Sequence, residues 1–494
     1  MSKRISRLLA LVFPGTAIAA LLATFPVGAS SPSQANVVKS NARNAAIVAA
    51  TTEVLKETSE IRELAILRPV KSGAQSRAEI EHMLIKNLNE QMTAAQMRAT
   101  EVSLRKFGLA PNDFEYRSNI IKLLTEQVAG YYDPKAQEFY LADWLELEGQ
   151  KPVMAHELTH ALQDQHFNLR RFEKWPHGDS DAELAVHALV EGDATLAMTV
   201  YMARNPLVAL AFSRSLTTGV ATEQFDKMPR AMRESLIFPY LQGSEWATQL
   251  YRKGGWSEVS NAFTKLPLST EQILHADKYY KYERPIKIVL PDVTSLLSAG
   301  SRQQTANSNQ QSANSKQQRA VGNQQSAISI QKSARRLPTA HRPLPTDSWR
   351  RIDSDVNGEW TYYLILDEFL KAPLESKRAT AGWAGDRYAL YEGPNGQVFL
   401  AQVAVWDTEN DAREFFDAYA KRTELRYPEA KRLEPAGAET QTRNSKQETL
   451  NTYSWSTNEG RVVVELRGLR VVILEGIPAG VASQAMLNAL GSEH

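Results

Sequence analysis

The segment AHELTHALQDQHF, at residues 155–167, contains two histidines and a glutamate in the spacing H-E-x-x-H. Positions four apart on a helix lie about 40° from each other around its axis, so His156 and His160 can direct their imidazoles at one ion. Glu157 lies on the flank of that face, within reach of a water molecule at the ion. Two ligands and a general base from one turn are what a zinc hydrolase needs. The alternative is a surface helix with scattered histidines, which the clustering of five of the nine histidines between His156 and His187 disfavours.

A catalytic zinc site needs a third protein ligand, and the sequence offers two candidates. We favour Glu191, in ALVEGDA, because a carboxylate in the middle of an apolar helix needs a partner. The alternative is that Glu191 pairs with an arginine or is exposed. His166 is the weaker candidate, because the pattern H-E-x-x-H-x-x-G-x-x-H requires glycine where this chain has Gln163. On a continuous helix His166 points about 120° away from His160. The alternative is that His166 is a polar residue that caps the end of the helix.

Two residues beside Glu191 have expected roles of their own. His187 lies one turn earlier on the same face, so it is either a structural histidine, which we favour, or a group that supports the ligand. Gly192 has no side chain, and we expect it to let this helix approach the H-E-x-x-H helix closely.

Four segments together carry a resemblance to a known family: TEQVAGYYDPK, AHELTHALQDQ, ALVEGDA and STEQILH. They resemble the gluzincin branch of the zincin metallopeptidases and, more narrowly, a group of exported bacterial H-E-x-x-H proteins. The likeness covers residues 120–285 and continues through GWAGDRYALYE. It implies a zinc peptidase that holds one Zn²⁺ per chain through His156, His160 and Glu191, with Glu157 as the general base.

The chain departs from the family at the residue that orients a ligand histidine. Many gluzincins have an aspartate in the turn after the ligand glutamate, whereas here Asp193 follows two residues after it and Thr195 four. The residue that orients the histidine is therefore left open. For the donor to the developing oxyanion, His275 in QILH is preferred over Tyr240 in FPYLQG, with a purely structural role for His275 as the alternative.

The tyrosine-rich segment before the metal motif is predicted to form a β-hairpin over residues 131–141, turning at Asp133-Pro134. Zincin-like architecture implies that such a strand is exposed and pairs with an extended peptide substrate. Tyr131 and Tyr132 could line the cleft in that picture, although packing inside the hairpin is favoured.

Composition limits the classes of function. The chain has 494 residues, a hydrophobic fraction of 43% and a formal net charge of +1, so it has a core of ordinary size and no bulk field that favours nucleic acid. It has no cysteine, which excludes disulfides, iron–sulfur clusters and cysteine-ligated zinc. Any metal site must therefore use His, Asp or Glu.

Helical periodicity and capping patterns predict the surrounding elements. Helices are expected over 51–71, 76–107 and 115–128, with capping boxes at Ser76 and Ser180. Pro152 suits the first turn of the H-E-x-x-H helix, and 238–243 and 252–256 are expected to interrupt later helices. Ser269 is predicted to cap the segment STEQILHADKY.

The predicted fold class is α+β, and the resemblance makes its larger part zincin-like. We expect a signal peptide at 1–29, disorder at 30–45, a mainly helical domain with a small sheet at 46–296, a Gln/Ser/Asn-rich linker at 297–347, and a small α+β domain at 348–494. In the last domain, Trp383, Asp386 and Arg387 could form a binding patch, although a turn packed by the tryptophan and an Asp–Arg pair is favoured.

The basic, then apolar N-terminus predicts export, with cleavage after Ala29. The protein is expected to be secreted or periplasmic, and a membrane contact is expected only if this segment stays as an anchor. The expected partner is a peptide or protein substrate, and the oligomeric state is left open. Two other functions remain: a non-catalytic zincin-shaped binding protein of the envelope, and a zinc hydrolase acting on cell-wall peptides.

Overall fold

The structure is a computed structural model with an α+β fold, which confirms the predicted class. The residues that it describes are 34–174, 178–217, 223–300, 348–433 and 451–491. The predicted signal segment and most of the predicted linker lie outside the described residues. Within those ranges, no helix is both long enough and apolar enough to cross a bilayer.

The chain divides into two compact units whose boundaries differ from the predicted ones. The first unit contains the residues up to Pro285 together with the segment Asp355–Ala381, and the second contains Ile286–Ser354 and the residues from Gly382 onward. Composition marks a linker but does not reveal that a later segment returns to the first unit, because that return depends on tertiary contacts.

Helices account for most of the first unit. Numbered through the whole chain, the helices are α1 Gln34–Arg62, α2 Arg77–Gln91, α3 Ala94–Phe107, α4 Tyr116–Gln127, α5 Leu147–Phe167, α6 Ser180–Arg204, α7 Pro206–Thr217, α8 Glu223–Lys227, α9 Arg230–Ala262, α10 Thr270–Leu274, α11 Ala276–Lys281, α12 294–300, α13 Gly358–Leu370, α14 Pro373–Thr380, α15 Glu409–Arg426 and α16 Ser483–Gly491.

Several helix starts follow from capping as predicted, and one does not. Ser76 forms the predicted capping box with Glu79, and Ser269 accepts a hydrogen bond from the Gln272 N–H. Helix α6 is capped by Asp179, whose side chain accepts from the Ala182 N–H. The predicted box at Ser180 is therefore wrong, since that hydroxyl and N–H bind Asp355 instead.

Two helices are longer than predicted. Helix α5 begins at Leu147, because the Glu146 side chain caps its first turn, so Pro152 lies inside the helix and not in its first turn. Helix α9 runs through 238–243, where an interruption was expected, and includes Pro239. The expected break at 252–256 is confirmed as a kink with non-helical backbone angles at Gly254 and Gly255.

Residues 34–45 form the start of α1, although the sequence predicted disorder there. Tertiary contacts hold this end of the helix. The guanidinium of Arg43 donates to the carbonyls of Ala142 and Leu145, and Asn44 Oδ1 accepts from the Ala74 N–H at 2.8 Å. A polar composition conceals such contacts, because they need residues about 30 to 100 positions away.

The first unit contains a three-stranded sheet beside α5. Its strands are β1 Lys71–Gln75, β2 Gly130–Asp133 and β3 Glu138–Ala142, in the order β1-β3-β2. Strands β2 and β3 form the predicted antiparallel hairpin, and β1 pairs with β3 in parallel. The helix predicted over 51–71 ends at Arg62, and β1 was not predicted; its sequence KSGAQ lacks apolar alternation, so backbone pairing alone marks it as a strand.

Helices α5, α6 and α9 form the core that positions the candidate site. Helices α6 and α9 touch through their backbones, because a Cβ on Gly192 would lie 2.2 Å from the carbonyl of Gly243. Gly192 was expected to serve the approach of α5 to α6, and this expectation is wrong. The glycine lets α9 approach α6, and Glu191 beside it faces α5.

The second unit is built on a seven-stranded sheet in the order β4-β5-β6-β10-β9-β8-β7. Its strands are β4 Arg350–Asp355, β5 Trp383–Glu392, β6 Val398–Trp406, β7 Lys431–Arg432, β8 Thr452–Thr457, β9 Gly460–Arg467 and β10 Arg470–Ile477. The predicted hairpin around Pro394–Gly396 and the helix α15 are confirmed. Buried Glu475 of β10 binds Arg422 and Arg426 of α15, which fastens this helix to the sheet.

Candidate metal centre

Three side chains from two adjacent helices meet at one point in the first unit. His156 and His160 lie one turn apart on α5, and Glu191 lies on α6. Nε2 of His156 is 3.1 Å from Nε2 of His160 and 3.0 Å from Oε2 of Glu191, and Nε2 of His160 is 3.4 Å from the same oxygen. All three side chains are fully buried. They are the three residues that sequence analysis selected as metal ligands.

The spacing of these donor atoms suits a metal ion. In a tetrahedral zinc site with bonds of about 2.05 Å, two ligand atoms lie about 3.3 Å apart. The observed separations of 3.0, 3.1 and 3.4 Å fall around that value. Two imidazoles and one carboxylate are also a ligand set of catalytic zinc sites. The group can therefore hold a metal ion. Among the described residues it is the one cluster of His, Asp or Glu side chains with donor atoms close enough to share an ion.

Unsatisfied atoms around the group support this conclusion. Within the described residues, Oε1 of Glu157, Oε1 of Glu191 and Nδ1 of His156 are buried without a hydrogen-bond partner. Leaving a buried polar group unpaired costs about 1–3 kcal/mol. An ion and the water around it would give the carboxylate oxygens partners.

Burial and charge shift the pKa values of the four groups. Burial raises the pKa of Glu157 well above its ordinary value and lowers that of His156. Burial also acts to lower the pKa of His160, but the Glu191 carboxylate outweighs it and raises this pKa to about 9. Burial opposes ionisation of Glu191, yet contacts with the histidines hold its pKa well below the ordinary value. Glu191 is therefore the ionised ligand, and Glu157 suits a group that takes up a proton.

The backbone of β2 positions Glu157. The Tyr132 N–H donates to Oε2 of Glu157 at 2.9 Å, and the Tyr132 hydroxyl donates to Oδ2 of Asp164 at 3.0 Å. Tyr132 is thus tied to α5 at two positions, and Oε1 of Glu157 has no hydrogen-bond partner among the described residues.

The hairpin does not present the exposed strand that was expected. Strand β2 is at the edge of its sheet, but Gly130, Tyr131 and Tyr132 are buried, and the outward N–H of Tyr132 is taken by Glu157. The Tyr131 hydroxyl donates to Gln75. The tyrosines therefore pack inside the unit, as was favoured.

A chain of buried polar groups lies behind His160. Its Nδ1 is 2.9 Å from Oε1 of Gln163, and Nε2 of Gln163 donates to Oδ2 of Asp193 at 2.9 Å and to the Val190 carbonyl at 3.0 Å. Oδ1 of Asp193 accepts from Nε of Arg62 at 2.5 Å. The residue that supports a ligand histidine, left open by the sequence, is therefore Gln163 backed by Asp193.

Two further side chains lie beside the ligands. Nε2 of His187 is 3.4 Å from Oε1 of Glu191, so His187 lies beside the carboxylate without forming a hydrogen bond to it. The ring of Tyr240, on α9, stacks near that of His156, with centroids 6.0 Å apart. Tyr240 and the side chain of His187 are each 9% exposed, whereas the ligand candidates and Glu157 are fully buried.

His166 and His275 bind elsewhere. His166 lies at the end of α5, where its Nε2 is 2.8 Å from the Ala65 carbonyl. Nε2 of His275 is 2.9 Å from Oε1 of Glu359. The helix before His275 is held at the start of α6 by Asp181, ten residues or about 15 Å along the axis from Glu191. These contacts give no support to an oxyanion role for His275.

The motif GWAGDR of the second unit does not form a surface patch. Trp383 and Asp386 are buried, and Nε1 of Trp383 donates to Oδ1 of Asp386 at 3.0 Å. Arg387 binds Ser354 within the same unit. The segment therefore packs within the unit, but as the start of strand β5 and not as the predicted turn.

Comparison with known proteins gives one match. A family model described as a domain of unknown function, DUF8575, matches residues 345–486. That range contains none of the metal-group residues. No curated protein and no solved structure matches the chain.

Proposed function

We propose that the first unit is a zinc-dependent peptidase of zincin type, exported as its N-terminal sequence predicts. The observation that carries this proposal is the meeting of His156 Nε2, His160 Nε2 and Glu191 Oε2 at separations of 3.0–3.4 Å, with Glu157 next to them. A bound divalent ion supplies a Lewis acid that makes water reactive near neutral pH.

Glu157 is the general base in this proposal. Its Oε2 is held by the Tyr132 N–H, which orients the carboxylate, while Oε1 has no partner among the described residues. Burial raises its pKa, so the carboxylate readily accepts a proton from the attacking water. It then passes this proton to the leaving nitrogen.

Tyr240 is the donor that we propose for the developing oxyanion. Its ring lies beside that of His156, with the centroids 6.0 Å apart. His275 was preferred from the sequence, but its imidazole is paired with Glu359. A phenol next to a ligand can donate to an oxygen that gains charge only in the transition state.

Cleavage assays on the zinc-loaded chain test the proposal. Denatured casein and soluble peptidoglycan peptides are incubated with native chain and with Glu157→Gln, each with and without chelator. Casein cleavage that chelator and the substitution both abolish supports a peptidase, and cleavage of the cell-wall peptides alone assigns the other substrate class. A zinc-loaded native chain that cleaves neither contradicts the proposed hydrolysis and favours a binding role.

A further inference from the structure

The amide of Gln163 has only one orientation that satisfies its surroundings. Its nitrogen lies within hydrogen-bond distance of the Val190 carbonyl and the Asp193 carboxylate, and both of those groups accept. The amide NH₂ must therefore face α6. The amide oxygen then faces His160, at 2.9 Å from Nδ1.

This orientation determines the tautomer of His160. An amide oxygen only accepts, so Nδ1 of His160 must carry the hydrogen. In the neutral ring, the lone pair then resides on Nε2, which is the atom that faces His156 and Glu191. The other neutral tautomer would leave Nδ1 and the amide oxygen as two acceptors in contact.

The buried ion pair between Arg62 and Asp193 holds the Gln163 amide in place. Asp193 is bound through its second oxygen by Arg62, which also donates to Ser260 and lies over the Trp256 ring, 4.8 Å from its centroid. The side chains of Arg62 and Asp193 have no exposed surface, so solvent does not weaken the pair. Asp193 thereby keeps its other oxygen directed at the Gln163 amide.

We propose that Gln163 is a positioning residue that, held by Asp193 and Arg62, keeps His160 in the tautomer whose Nε2 binds the metal ion. This inference rests on the metal group of the proposed function and deepens it. It makes the N-terminal helix α1, which carries Arg62, part of the metal site's support. Residues that orient a ligand histidine in this way are worth about 10–100-fold in metal affinity.

The test is the zinc affinity of Gln163→Met, measured by competition with a chromophoric chelator. Methionine matches glutamine in length but cannot donate to Asp193 or accept well from His160. We expect an affinity about 10–100-fold weaker than that of the native chain. The matched control is Gln165→Met on the same helix, since Gln165 binds only Leu67 and Arg68, and its affinity should equal that of the native chain.

The outcomes distinguish failure of the positioning role of Gln163 from failure of the proposed function. A native chain that binds no divalent ion removes both. If the native chain binds zinc and Gln163→Met binds it with equal affinity, only the positioning role of Gln163 is ruled out. If Gln163→Met does not fold, a structure of the zinc-loaded native chain decides. Ligation through Nε2 of His160, with Nδ1 within about 3 Å of Gln163 Oε1, supports the positioning role of Gln163. Ligation through Nδ1, or a Gln163 side chain turned away from His160, overturns it.

Discussion

The backbone N–H of Tyr132 donates a hydrogen bond of 2.9 Å to Oε2 of Glu157, so the strand β2 holds the proposed base by one oxygen and leaves the other unpaired among the described residues. The sequence places these two residues 25 positions apart. The hairpin therefore positions the proposed base through its main chain, and the identity of the tyrosine side chain does not enter this contact.

Glu157→Gln should bind zinc like the native chain and lose about 10²–10⁴-fold in kcat. The amide oxygen can still accept from the Tyr132 N–H, so the fold is kept, but an amide takes up no proton at neutral pH. Zinc content and peptide cleavage are measured together. Glu148→Gln is the control, because this exposed residue of α5 lies outside the metal group. Cleavage at the native rate by Glu157→Gln would refute the base.

Tyr240→Phe should lower kcat by about 10²–10³-fold with unchanged zinc content, because it removes one donor to the oxyanion. His275→Gln should leave kcat near the native value, since His275 binds Glu359. Steady-state kinetics on a casein-derived peptide compare the two variants. The opposite ranking would return the oxyanion role to His275.

The contact between His275 and Glu359 gives a pH dependence that is independent of the metal. The hydrogen bond that the His275 imidazole donates to Glu359 raises the pKa of His275 above 6.5 despite partial burial. The contact therefore stabilises the fold fully below pH 6.5, and this stabilisation is lost as the pH rises through the folded pKa. The difference in the free energy of unfolding by urea between the native chain and Glu359→Gln should be larger at pH 5.5 than at alkaline pH. A difference that grows towards alkaline pH would contradict this assignment.

Gly192→Ala should destabilise the first unit by about 1–3 kcal/mol or more, because its Cβ would meet the Gly243 backbone at 2.2 Å. Gly73→Ala is the control, since the nearest atom to its Cβ is Asn44 Oδ1 at 3.9 Å, and a change below about 1 kcal/mol is expected. Urea unfolding measures both. Equal stability of the two variants would show that α6 and α9 do not meet at this glycine.

The ligands could be predicted from the sequence because local geometry determines them. Helical periodicity puts His156 and His160 on one face, and an acid in an apolar helix, Glu191, signals a buried partner. The support of His160 could not be predicted, since Arg62 lies 131 positions from Asp193 along the chain. In the sequence, Gln163 was considered only because it replaces the glycine of the H-E-x-x-H-x-x-G-x-x-H motif. An amide side chain three residues after His160 was itself an indication that it could support that histidine.

The errors in the fold have the same origin. Strand β1 has no strand pattern and exists through its pairing with β3, and the start of α1 is held by Arg43 contacts about 100 residues away. The partner of Gly192 is on α9, which no local pattern identifies. Where the structure depended on side chains one turn apart, as at Ser76 and its capping box, the prediction was confirmed.

Metal content per chain tests the central claim most directly. After loading with zinc and removal of excess, elemental analysis of the native chain should give one ion, and chelator should remove it. His156→Ala and Glu191→Ala should each lose the ion, whereas His166→Ala should keep it, because His166 binds the Ala65 carbonyl. A native chain without zinc, or a Glu191→Ala chain that keeps it while His166→Ala loses it, would contradict the account.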